Sequence, residues 1–190
     1  GVYGTKLITL SNGIKVHVLH TDYSPNSIAM RAISWGGSSL YPNSEYNLVD
    51  NAHMVQVGGW GQFSAIDLQK KLSGKQVSVE PSIADRTEAL HGSCVKKDLE
   101  TMLQLTYLCF TSPRRDDDAY KSLLERTRNS LKNEDMNPIT ALRDSIASVV
   151  YNNNVRALRM RTEDVDGLDY DRVMEIYKER FANAADFEFF

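Results

Sequence analysis

The order in which strand-like and helical patterns follow one another limits the fold of this chain more than any other feature. Lys6 to Leu10 reads as a short strand and Ser11-Asn12-Gly13 as a turn, since Asn-Gly readily takes positive φ. Ile14 to Leu19 alternates, with Ile14, Val16 and Val18 on one face, and Ser27 to Trp35 reads as a further strand ended by Gly36-Gly37. Two helices follow. Asn47 to Val57 is closed by Gly58-Gly59, and Ser64 to Ser73 has Ser64 as N-cap, Asp67 three residues on and Gly74 at C′. Gln76 to Ile83 and Thr87 to Ser93 look like a strand pair, with Pro81 marking an edge or a bulge.

The second half turns helical. Val95, Leu99, Met102, Leu103, Thr106 and Phe110 recur at helical spacing up to Pro113. Asp116-Asp117-Asp118 opens the next helix, where acids suit the helix dipole, and Ala119, Tyr120, Leu123, Leu124, Thr127 and Leu131 form its inward stripe. Pro138 opens a third helix to about Tyr151, with Leu142, Ile146, Val149 and Val150 expected inside. Asn152 to Asn154 is a loop, Tyr170 to Phe181 a last helix, and "DFEFF" a final strand expected to continue in a longer parent chain, just as Gly1 in place of Met implies trimming.

Helices thus come in runs between strands rather than singly, which predicts an α+β fold: an antiparallel or mixed sheet with helices packed on one face. A chain of 190 residues suffices for one domain, here 1–190, without an internal linker or repeat. Its formal net charge of −3 argues against a nucleic-acid partner. No apolar run is long enough to span a bilayer. Cys94 and Cys109 fit no zinc spacing and read as buried thiols.

Several segments resemble one homology unit of the pitrilysin/insulinase zinc metallopeptidases, the inverted-motif family, over nearly the whole chain. "LSNGIKVHVLHTD" is similar to the opening hairpin of that unit and "AISWGGSSLYP" to its next strand and glycine turn. "IDLQKKLSGKQVSVEPSIADRTEALHGSC" resembles its second helix and strand pair, and "LLERTRNSLKNEDMNP" the long helix that carries its distal metal ligand. The resemblance implies a metallohydrolase unit like those of the mitochondrial processing peptidase.

In that family a His-x-x-Glu-His helix and a distal glutamate hold zinc, and the motif glutamate serves as general base. The matching stretch here is "VDNAH": Val49 stands for the first histidine, Ala52 for the base, and only His53 remains. The distal glutamate falls near Asn129 or Ser130, neither a good zinc ligand. The resemblance therefore implies a later, non-catalytic unit, the third by preference, of a larger bacterial peptidase. Such a unit has no metal or cofactor of its own, while zinc sits in the parent's active unit. Its partners are the other units of the parent and the peptide substrate in their shared chamber, and the periplasm is the favoured compartment. Two alternatives stand beside it: a stand-alone binding or scaffold module of the same fold, and a hydrolase with a non-standard metal shell of His53 and Asp50.

Outside that stretch, Arg156, Arg159 and Arg161 form a basic patch that could hold a peptide carboxylate or a phosphate, although Glu163, Asp164 and Asp166 follow directly. Trp60 in "GGWGQ" is a candidate chamber-wall residue or a packed indole, and these glycines lack the strand-then-helix context of a nucleotide loop. His17 and His20 are three apart on a strand, which spoils them as a chelating pair, and His91 could approach His17 across the sheet.

Overall fold

The computed structural model describes residues 4–190. The start of the chain at Gly1 lies outside them. The described residues form a six-stranded sheet. Its strands are β1 (Lys6–Thr9), β2 (Lys15–Val18), β3 (Ser27–Trp35), β4 (Val77–Ile83), β5 (Thr87–Val95) and β6 (Glu188–Phe189). Their spatial order is β1-β2-β6-β3-β5-β4. The last strand of the chain thus enters mid-sheet, parallel to β2 and antiparallel to β3. The other pairings are antiparallel. This is the mixed sheet of an α+β domain, and β4, which carries Pro81, lies at its edge, where a missing N–H donor is tolerated.

Alternation along the strands sets the layers. Ala32 pairs with Leu90 and both are fully buried, while their neighbours Arg31 and His91 pair on the exposed face. The helices are α1 (Tyr46–Asp50), α2 (Ala65–Lys71), α3 (Leu99–Thr111), α4 (Asp117–Asp135), α5 (Pro138–Val150) and α6 (Tyr170–Arg180). Of these, α1, α3, α4 and α6 bury residues in the core. Met102 of α3 lies over Gly92 of β5, where a Cβ would sit 3.0 Å from the Met102 sulfur. Aromatic rings fill the centre: Phe110 packs edge-on against Phe187 at 5.0 Å, and Tyr177 stacks on Phe181 at 4.6 Å.

Three expectations change. Residues 47–57 are not one helix: α1 ends at Asp50, and Ala52–Gly58 continues as 3₁₀ turns. Asn51 sits at the break, its side-chain amide donating to the Asn47 carbonyl at 2.8 Å and so competing with the helical ladder. On α3 the inward stripe is Met102, Leu105, Thr106 and Cys109, while Leu99 and Leu103 face outward and Val95 ends β5. The third change is the largest. No residue of α5 is buried, and Leu142, Ile146, Val149 and Val150 are turned to solvent instead of the core.

Candidate functional site

The region around His53 is built by three devices. The β3 strand ends in a turn at Gly36-Gly37, and the Glu88 carboxylate, 3% exposed, accepts the Gly37 N–H at 2.7 Å. A Cβ on Gly37, at φ +63°, would lie 2.2 Å from the Ala84 carbonyl oxygen, so the turn needs glycine. This turn leads the chain to α1. The second device is polar. Arg172 of α6 donates to Glu45 just before α1 at 2.8 Å and to Glu179 at 2.9 Å, and the Tyr41 hydroxyl donates to Glu179 at 2.5 Å. That bond holds the Glu179 carboxyl below the usual carboxylate range, with Arg172 acting the same way against partial desolvation. Burial and the same bond push the Tyr41 phenol up to about 12. The sequence signal for this network was the run Arg172, Glu175, Glu179 on one helical face, which sequence reasoning passed over.

The third device is apolar. Val49 and Ala52 are both 0% exposed and pack with Tyr41 and Ile176, with Leu48 and Ile83 against them. The two positions that the resemblance sets against a first histidine and a general base are therefore core positions. His53 is half-buried, and its Nδ1 lies 3.0 Å from the Asp50 carbonyl oxygen. The Asp50 carboxyl sits at the exposed edge of α1. Desolvation pushes it up, His53 pulls it back, and Asp85 adds to the rise. Asn129 and Ser130 lie on the solvent side of α4. Among the described residues, no group of three or more His, Cys, Asp or Glu side chains is arranged to hold a metal ion. A zinc does not fit the side chains present: one imidazole cannot complete a tetrahedral shell beside valine and alanine.

The other candidates are engaged within the chain. Trp60 is 6% exposed and its ring lies 5.7 Å from that of Tyr177, so the indole is a core group. Arg156 donates to Asn43 Oδ1 at 2.7 Å and to the Tyr41 carbonyl at 2.6 Å, and lies over the Tyr46 ring. Arg159 grips Asp144 and Asp135, and Arg161 approaches Asp144 at 3.6 Å. The basic patch is thus largely neutralised by its own chain. His17 stacks on Phe190 at 4.8 Å, with Nε2 3.5 Å from Glu188. His91 does not approach it, because β6 and β3 lie between their strands. Both cysteines are buried free thiols, and burial pushes Cys109 up to about 12.

Comparison with known proteins places these features in context. No protein-family model matches the chain. It is 25% identical over 182 residues to a probable zinc protease PqqL of Haemophilus influenzae, covering 95% of this chain and 19% of that protein. It is 23% identical to a PQQL-like zinc protease of Arabidopsis thaliana, covering 97% of this chain and 17% of that one. The crystal structure of the periplasmic protease PqqL from Escherichia coli superposes with a TM-score of 0.78 at 20% identity, over 97% of this chain and 20% of that chain. The chain therefore spans about one-fifth of the length of these three proteins.

Proposed function

Starting from a chain homologous to about one-fifth of pitrilysin-like zinc proteases, we propose that it is a non-catalytic unit of such a protease, one that helps enclose peptide substrate. The observation that carries this reading is the burial of Val49 and Ala52 in an apolar cluster with Tyr41 and Ile176. A catalytic unit needs an imidazole and a carboxylate at those positions, aimed at a shared ion. Valine and alanine supply neither donor nor base, so no hydrolytic step runs through this chain. Its contribution in this reading is shape: a domain with a six-stranded sheet that forms part of the wall around the substrate. Zinc and catalysis belong to another unit of the parent.

Two measurements test this. The native reading frame should extend beyond these residues and carry an intact His-x-x-Glu-His motif elsewhere. The purified chain, folded by circular dichroism, should show no chelator-sensitive cleavage of a quenched fluorogenic peptide mixture with added zinc. Metal-dependent cleavage by this chain alone overturns the reading. A short, separate gene would favour a stand-alone binding module instead, a role that a domain with its own complete core could fill.

A further inference from the structure

The α5 helix is attached to the domain by its polar side. Asp144 receives the Arg159 guanidinium, with Nε 3.0 Å and Nη2 2.8 Å from Oδ2, and Arg161 stands 3.6 Å away. On the opposite side of the helix, Ile139, Leu142, Ile146, Val149 and Val150 are each between 54% and 82% exposed. Neighbouring contacts within the chain do not cover them. The helix C-terminus is fixed as well: Asn152 and Asn153 take positive φ, at 48° and 55°, and the Asn153 N–H donates to the Ser148 carbonyl at 3.0 Å. An amphipathic helix pinned through its polar face, with its apolar face outward, is oriented for a partner rather than for its own core.

The spacing identifies the partner's form. Ile139, Leu142, Ile146 and Val149 alternate by three and four residues, with β-branched isoleucines at the first position of each heptad. That is the seam of helix-on-helix packing, in which each side chain enters a hole between four residues of a facing helix. Resting on the reading of the chain as one unit of a longer protease, we infer that this stripe receives an α-helix of another unit of the same parent chain. Three observations favour that occupant. The relative at 25% identity has four-fifths of its length outside the matched region, so a protein of that kind holds ample further structure. Two heptads are too short to hold two separate copies together, whereas a tethered partner docks at an effective concentration in the millimolar range. The seam has no complementary charges of its own for self-pairing. Its flank carries Arg143, exposed and without an ion pair among the described residues, which fits an acidic residue on a different helix.

The test uses the full-length parent protein with Ile146→Cys, labelled by maleimide and read by peptide mass spectrometry, so that the buried Cys94 and Cys109 are counted apart. Labelling of position 146 in the folded protein should be at least about tenfold slower than in urea, with light scattering giving the mass of one chain. Equal rates in folded protein and urea overturn the docking. Protection that accompanies a two-chain mass and is lost on dilution overturns the choice of occupant in favour of a second copy. A gene without further units removes the parent reading itself, an outcome distinct from a long parent chain with an open position 146.

Discussion

Arg159 grips the Asp144 carboxylate with two nitrogens, Nε at 3.1 and 3.0 Å from its two oxygens and Nη2 at 2.8 Å. This fork decides which way α5 faces. Both side chains are largely shielded from water, so the pair is screened less than a surface contact. It fixes the polar side of the helix against the segment that follows the Asn152–Asn154 loop, and leaves the aliphatic side outward.

Asp144→Ala should therefore cost about 1–3 kcal/mol, the range for hydrogen bonds between charged groups. Urea unfolding monitored by circular dichroism measures it. Arg159→Lys should recover little, since an ammonium cannot fork both oxygens. A loss within error of zero for Asp144→Ala would mean that the fork does not orient α5.

Val49→His moves the sequence toward the metal motif yet should not create a zinc site. The imidazole would enter the cluster of Tyr41, Ala52 and Ile176, where the Tyr41 hydroxyl is already bonded to Glu179. The expected loss is about 2–4 kcal/mol. The unaltered chain should hold well under one zinc per molecule by elemental analysis, and added zinc should leave its Tm unchanged. One tightly held zinc per chain would overturn the assignment of Val49 and Ala52 to the motif positions.

Phe187 is 1% exposed and lies between Phe110 at 5.0 Å and Phe181 at 5.5 Å. Phe187→Ala should cost about 3–5 kcal/mol by denaturant titration. The cavity would lie beneath β6, so hydrogen exchange should rise at Arg31, whose N–H donates to the Phe190 carbonyl at 2.9 Å. Unchanged exchange at Arg31 would mean that β6 is held without this ring.

Tyr41 and Glu179 give opposite pH signatures. The Glu179 carboxyl is lowered in the fold, so its contribution is present above the unfolded carboxylate value and is lost as pH falls through the folded one. Tyr41 is raised to about 12, so its contribution is complete below 10.0 and is lost as pH rises towards 12. Tyr41→Phe should cost about 1–2 kcal/mol at pH 7. It should also flatten the fall in stability above pH 10 compared with the unaltered chain. Parallel profiles in that alkaline range would show that Tyr41 does not carry it.

Local signals marked many element ends. Ser64 caps α2 in a reciprocal box with Asp67, Asp116 caps α4, and Pro138 with Asn137 opens α5, all from groups within one turn of the residue concerned. The limits of β3 match the strand read from Ser27 to Trp35. The residue types in "VDNAH" were equally plain, because a valine is a valine whatever surrounds it.

Periodicity, in contrast, reports that a helix has an apolar side, not what that side meets. The stripe on α5 is as regular as that of α4, yet Tyr120 and Leu131 of α4 are buried and the α5 stripe is open. Which side of α5 faces inward depends on Arg159 reaching Asp144 across fifteen residues. The sequence alone thus determined the order of elements, their caps and which side chains stand at Val49, Ala52 and His53, because these depend on residue identity and near neighbours. Only the tertiary structure decided that β6 enters the middle of the sheet, that Trp60 is a core ring, and that α5 turns its apolar face outward. Those outcomes rest on contacts between residues far apart in the chain, whose free energies are set by the packing that brings them together.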